Sequence, residues 1–380
     1  MRTRALALLA AVTAAAAAAT APVGLVAQGS DALYARLSWL GGFEYRGYSF
    51  DPGISVKAVS QWNLPFIAVA PVGRRMSVDV TTYVVSGRIT TYAGTAEQLG
   101  GLSDTQLRLL YTVGRDRLVA SLTLNLPTGK HSVSTSQFQV IGAVGSNYLS
   151  FPVSSYGTAF GATAGVAYAR TLGGWNLGFS GALRYTGNYS PFTDQGVSYN
   201  PGWEARVRSG ADRVVGRNAR LLLGLTFSTF STDVYTGTGS IVGGTYDPGS
   251  RFIGDLAYVR VIGRGTLTFA SWDYYRLVGH SNLGAVPESK ENVFNAELRY
   301  GGSVTSRLVL EPLVAFRQWS PADYRGGRLY SAGLGARYGI SDQLTAHVTG
   351  RVDTGWIYAA QRGRANLTGT GLTLWVRYQR

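Results

Sequence analysis

The chain has 380 residues, 50 of them glycine, with 12% aromatic residues, only 15% charged residues and no cysteine. The charge fraction lies well below the roughly 25% of soluble proteins, yet past residue 30 no apolar run approaches the ~18 residues that a spanning helix needs. Without cysteine the chain excludes a disulfide framework, a thiolate metal site and a haem-attachment motif. The formal charge of +14 is carried by arginine, since Lys57, Lys130 and Lys290 are the only lysines. The arginines are scattered singly rather than clustered, which points away from nucleic acid. It points toward phosphates of outer-membrane lipids and lipopolysaccharide, which guanidinium groups bind bidentately.

Residues 1–27 read as a secretory signal peptide. Arg2 and Arg4 form the basic start, "ALALLAAVTAAAAAAT" the apolar stretch, and Leu25-Val26-Ala27 a small-residue cleavage point. Pro22, Gly24 and the weak hydrophobicity of alanine argue against a retained anchor helix. Residues 28–380 are then the mature chain, with 28–42 a candidate N-terminal plug or periplasmic segment. Within it, 31–40 fits either a helix (Leu33, Leu37, Leu40) or a strand (Leu33, Ala35, Leu37, Trp39).

From residue 43 onward the grammar is period two, one apolar face and one polar face. Leu107, Leu109, Tyr111 and Val113 alternate with Gln106, Arg108, Leu110 and Thr112, and after Gly114 the alternation resumes through Leu118, Ala120, Leu122, Leu124 and Leu126. Trp175, Leu177, Phe179, Leu183 and Tyr185 stand opposite Asn176, Ser180 and Arg184; Trp203, Ala205 and Val207 opposite Glu204, Arg206 and Arg208. Phe294, Ala296, Leu298 and Tyr300 oppose Asn295, Glu297 and Arg299, while Val314 and Phe316 oppose Glu311 and Arg317. Val348, Val352 and Trp356 oppose His347, Arg351 and Asp353. The segments 250–262 and 265–277 slip phase and give no clean assignment.

Short turns near 73, 114, 173, 216, 263, 303 and 341 alternate with longer connections at 127–156, 188–200, 233–249, 278–290 and 320–327. Val-Gly-Arg marks the turns at 72–74, 113–115 and 215–217, with Ile-Gly-Arg at 262–264. Glycine supplies the permissive backbone of a tight hairpin. Tight turns at one end and long loops at the other predict an all-β fold, a transmembrane antiparallel β-barrel of sixteen strands (fourteen is the alternative count), with periplasmic turns and extracellular loops. Aromatic ends of the apolar faces, such as Trp62, Tyr168, Tyr338 and Tyr358, would form interfacial girdles.

Two segments carry resemblances. Gly371, Leu374, Val376 and Tyr378 lie in a C-terminal run similar to the β-signal by which barrel assembly machinery recognises its clients, here followed by Gln379-Arg380. Residues 101–130, with Gly101-x-x-Asp104 entering a strand and Leu126-Pro127-Thr128-Gly129 ending the next, resemble the outer-membrane transporters of meta-pathway phenol degradation. The likeness extends distantly to the fatty-acid and hydrocarbon channels, whose asparagine-proline-alanine hatch signature the chain lacks. The resemblance implies passage of small hydrophobic or aromatic compounds across an outer membrane.

Catalytic patterns are weak. His280 and Ser281 are adjacent and, in a strand, would point to opposite faces, unlike a hydrolase pair; His131-Ser132 has the same defect. Pro127-Thr128-Gly129-Lys130 lacks P-loop spacing. No cofactor or metal is expected. The lumen-facing set is Arg108, Arg184, Glu204, Arg206, Arg208, Glu297, Arg299, Glu311, Arg317, Arg337, His347, Arg351 and Asp353. It reads either as a slightly cationic pore lining that favours anions or as ion pairs that only satisfy the interior. The expectation is a channel for small-molecule solutes; the alternatives are a non-conducting structural barrel and an outer-membrane hydrolase.

Overall fold

The computed structural model describes residues 37–114, 117–237, 243–282, 289–322, 325–359 and 363–380. The proposed signal peptide and residues 28–36 lie outside them. Strands alternate up and down from β1 (Ser38–Phe50), β2 (Val56–Val72) and β3 (Met76–Thr91) through β4 (Ala96–Leu102), β5 (Thr105–Val113), β6 (Leu118–Leu126), β7 (Gly161–Leu172) and β8 (Trp175–Thr186). Next come β10 (Glu204–Val215), β11 (Ala219–Phe230), β14 (Arg251–Ile262), β15 (Gly265–Arg276), β17 (Glu291–Ser303) and β18 (Leu308–Pro321). The last three are β19 (Gly327–Gly339), β20 (Leu344–Ala359) and β21 (Gly363–Gln379). β21 pairs with β1 from Ser38–Gln379 to Phe50–Leu367, which closes an antiparallel barrel of sixteen strands. β4 and β5 share one position, both pairing with β3, and the break between them falls at Ser103 and Asp104.

Residues 38–42, expected within a plug or periplasmic segment, belong to β1, because Trp39 and Leu40 continue its alternation and pair with Tyr378 and Arg377. The turn glycines Gly73, Gly114, Gly216 and Gly263 have φ of 72°, 67°, 64° and 58°, and a Cβ on any of them would meet nothing within 4 Å. Their backbone conformation, not space, selects glycine.

Period two puts one face of each strand outside. On β8 the outward row is Trp175, Leu177, Phe179, Leu183 and Tyr185, with Leu183 61% exposed. Val207 and Val352, 55% and 60% exposed, belong to the same belt. Trp175 and Tyr185 cap this row at its two ends. At ~3.3 Å per residue and a tilt of ~40° the span between them covers about 25 Å, the height of a bilayer-facing barrel band. Trp39 stacks on Tyr378 at 6.3 Å in the short-turn girdle, and Tyr330 meets Trp356 at 6.1 Å in the long-loop girdle. The phase slip of β14 and β15 has a simple cause. The register turns Asp255 inward to Arg208, which also turns Ile253, Val259 and Val261 inward, while Asp273 faces out.

At the long-loop end β9 (Val197–Asn200), β12 (Asp233–Gly237), β13 (Thr245–Asp247) and β16 (His280–Ser281) form a second small sheet. Phe179→Arg, near the middle of that band, should cost about 2–4 kcal/mol in denaturant unfolding from vesicles, whereas Ala182→Ser, on the inward face of the same strand, should be near neutral.

Candidate functional site

The lumen is built by the inward faces and by one segment the sequence placed outside. Residues 127–156, expected as an extracellular loop, fold into the barrel, a correction with a physical reason. Val133, Val140, Val144, Tyr148, Leu149, Phe151, Val153 and Tyr156 are buried there against Tyr48, Phe50, Val59, Val85, Ile89, Leu99, Leu329 and Leu367 of the wall. That apolar surface would be solvated at a cost if the loop stood outside. Within it α1 (Thr135–Val144) is opened by Ser134 and Gln137 in a reciprocal capping box, and only Val140 and Val144 of the helix are buried.

Two devices hold the segment. At its neck, Asp104 sits in the gap between β4 and β5 and accepts from Gly129 N at 3.1 Å, Asn125 Nδ2 at 2.7 Å, Thr158 N at 2.7 Å and Thr158 Oγ1 at 2.9 Å. Thr128 Oγ1 donates to the Ser103 carbonyl at 2.9 Å and accepts from Thr105 N at 2.9 Å. The two legs pass so closely that a Cβ on Gly129 would lie 2.0 Å from the Tyr156 carbonyl oxygen. At its tip, Gln61 Nε2 donates to the Val153 carbonyl at 2.6 Å and its Oε1 accepts from Val153 N at 3.0 Å. Tyr48 Oη donates to Leu149 O at 3.1 Å, Arg317 to Tyr148 O at 2.8 Å, and Arg46 to Ser150 O. Tyr148 Oη in turn donates to Trp356 O at 3.0 Å, and its ring stacks on Trp319 at 5.8 Å. Ser150 has φ 52°, the one non-glycine residue with positive φ among the described residues.

Below the tip lies a cavity of about 680 Å³, roofed by Ser150, Phe151 and Pro152 and lined on the short-turn side by β1, β15 and β17–β21. Arg46, Arg264, Arg299, Arg317, Arg337, Arg351 and Arg377 face Glu44, Glu297, Glu311 and Asp342, so guanidinium groups outnumber carboxylates. Glu311 is the hub: Arg299 reaches it at 3.6 Å, Arg337 at 3.7 Å and His347 Nε2 at 3.4 Å. Arg299 also meets Glu297 at 2.8 Å, and Arg351 meets Asp353 at 2.9 Å. Arg317 lies over the Trp272 ring at 5.7 Å.

The other expected lumen residues sit on the wall outside this cavity. Arg108 pairs with Asp79 at 2.6 Å, Arg206 with Glu204 at 2.6 Å and Arg208 with Asp255 at 2.7 Å, while Arg184 stands 3.9 Å from Glu204 with its side chain 46% exposed. The thirteen expected side chains therefore form two groups, one under the inward segment and one along β5, β8 and β10. Asp212–Arg220 at 2.6 Å and Arg276–Glu291 at 3.4 Å extend the second pattern. Gly371 lies inward, where a Cβ would meet Arg351 Cγ at 3.0 Å, whereas Leu374, Val376 and Tyr378 face out on the closing strand. His280 and Ser281 sit in β16, paired with Asp247 and Tyr246, and His280 is exposed. Among the described residues no group of three or more metal-ligating side chains is gathered.

The tip and neck contacts are what sequence reasoning missed. The run of apolar residues from Val133 to Tyr156 and the Ser134-x-x-Gln137 cap were the available signals.

The chain matches no family model, and no curated protein matches it in sequence. Solved structures similar to it include OprB of Pseudomonas putida (12% identity, 90% of this chain and 93% of that one, TM-score 0.48). A FadL homologue of Pseudomonas aeruginosa (9%, 90% and 90%, 0.45) and an anion-selective porin from Comamonas acidovorans (12%, 90% and 98%, 0.42) are also similar.

Asp104→Ala should cost about 2–3 kcal/mol, since it removes the acceptor of four donors, and Gln61→Ala about 1–3 kcal/mol. Both should speed proteolysis within 127–158 of the refolded barrel. Outside the bilayer, the main-chain N–H of Thr135, and then its hydroxyl, hold the Asp194 carboxyl below the usual aspartate range. A depressed folded pKa means that this tie is complete above the unfolded value of ~3.9 and is lost as pH falls through the folded one. Asp194→Asn should therefore remove the acid-side rise in loop proteolysis that the native chain shows in that window.

Proposed function

We propose that this chain is an outer-membrane channel for passive passage of small solutes, with a preference for anions. The observation that carries the reading is the water-accessible cavity of about 680 Å³ inside a closed barrel, bounded by an inward segment and lined by an excess of guanidinium groups. A lumen filled by ion pairs alone would leave no such space. Excess positive charge in a narrow, low-dielectric passage raises the local concentration of anions and lowers that of cations. The outward apolar band, the short turns at the end that holds the first and last strands, and the expected signal peptide support an outer-membrane location with the turns toward the periplasm.

Passage of hydrophobic or aromatic compounds is the second reading. It draws on the resemblance of 101–130 and on Phe151, Trp272 and Trp375 among the lining residues. The Asp104–Thr128 neck gives that same stretch a structural use that any solute class would permit.

Planar-bilayer recordings of the refolded protein should show discrete open levels, and in a salt gradient a reversal potential on the anion side. The double variant Arg337→Glu/Arg377→Glu should move that potential toward cations. Electrical silence, with swelling only of vesicles bathed in uncharged aromatic solutes, would support the second reading. Silence in both assays would leave a non-conducting barrel.

A further inference from the structure

We infer that the outer face of β19–β21, at the long-loop end, is a binding site for the phosphorylated headgroup of lipopolysaccharide. The inference rests on the proposed orientation, which puts this end in the outward leaflet.

The site is centred on Trp356, an outward residue of β20. Register places Arg328 of β19 directly across from Trp356, and Arg364 of β21 across from Tyr358. The Arg364 guanidinium carbon lies 4.6 Å from the Trp356 ring centroid and that of Arg328 lies 5.8 Å from it, one from each neighbouring strand. A third guanidinium, Arg325, lies 5.9 Å from the Tyr358 ring. Below them Trp356, Tyr330 and Phe316 run as an aromatic row across three strands, at 6.1 Å and 5.4 Å between rings, and lead into the apolar belt.

Three cations gathered on one outward patch repel one another unless an anion joins them. Among the described residues no carboxylate lies within ion-pair distance of Arg325, Arg328 or Arg364. The nearest connection is Arg364 Nε donating to Asn366 Oδ1 at 3.3 Å, while the Asn366 amide donates to Asp51 at 2.9 Å. Six inward arginines on the wall behave oppositely: Arg108, Arg206, Arg208, Arg220, Arg299 and Arg351 each hold an acidic partner within 3.0 Å. For these six the chain supplies the counterion; at the outer rim it leaves that role to an external anion. Both Arg328 and Arg364 are exposed, and the tryptophan between them holds their planes at headgroup depth, where interfacial aromatics sit. A planar guanidinium fork matches phosphate oxygens bidentately, and acyl chains of the same molecule would lie along the belt beneath. An anchor of this composition, cation above and aromatic below, fits a phosphorylated glycolipid better than a soluble phosphate, which would use only the upper part.

The test titrates detergent-refolded protein with phosphorylated rough-type lipopolysaccharide and reads tryptophan fluorescence and co-migration. Arg328→Ala/Arg364→Ala should weaken binding by tenfold or more. Arg328→Lys/Arg364→Lys should bind between the two, since it keeps the charge but loses the bidentate fork, and heat-modifiable migration controls for folding. Enzymatically dephosphorylated lipopolysaccharide should bind the native protein as weakly as the alanine variant binds the phosphorylated form. Equal affinity of native and alanine proteins, or equal affinity for the dephosphorylated form, would overturn the site. Equal binding of phosphatidylglycerol vesicles would show a generic phosphate surface and overturn the lipopolysaccharide assignment. Bilayer conductance of the alanine variant should match the native protein, so loss of the channel reading and loss of this one are separable.

Discussion

Everything in this molecule follows from the need of each backbone N–H and C=O in a hydrocarbon setting to find a partner within the chain, because lipid offers none. An open sheet cannot meet that need at its edges, and a closed one can. The pairing of β1 with β21 along the whole of β1 is therefore the constraint on which the rest depends. Once the sheet closes, period two sorts side chains without further instruction. Leu183 and its row take the lipid side and Arg184 and its row the water side.

Closure creates a second problem, since a sixteen-strand cylinder is too wide for its own side chains to fill. The chain solves it on one side only. Its apolar segment covers the hydrophobic patch on β1–β4, β19 and β21, while β5, β8 and β10 keep polar, partly exposed side chains. The cavity is what remains between them. Its electrostatics are set by geometry, because carboxylates such as Glu311 serve several cations at once and so leave positive charge in excess.

Much of the wall was legible in the sequence because alternation is local. Strands such as β8 and β17 declare their faces within a dozen residues, and turn glycines mark the ends. The register then puts Arg299 and Glu297 on the inward face, as their alternation with Leu298 and Ala296 implies. β14 and β15 resisted because Ile253 and Val259 face inward and Asp273 outward, which blurs the contrast that alternation relies on. β4 was passed over since Gly100 and Gly101 weaken its pattern. The inward segment was misplaced for another reason. What decides its position is nonlocal: Asp104 meets Thr158, Gln61 meets Val153, and Arg317 meets Tyr148, pairs that no window along the chain brings together.

The placement of that tip has a bearing on the join between the chain's two ends. Its ties run to Arg46 and Tyr48 on β1, and to the Trp356 carbonyl on β20, which lie on either side of β21. The segment thus acts as a bolt drawn across the zip from within. Strands at the join cannot peel apart sideways toward lipid while it is seated. A cylinder whose weakest line would be its first and last strands is instead fastened there by residues from its middle.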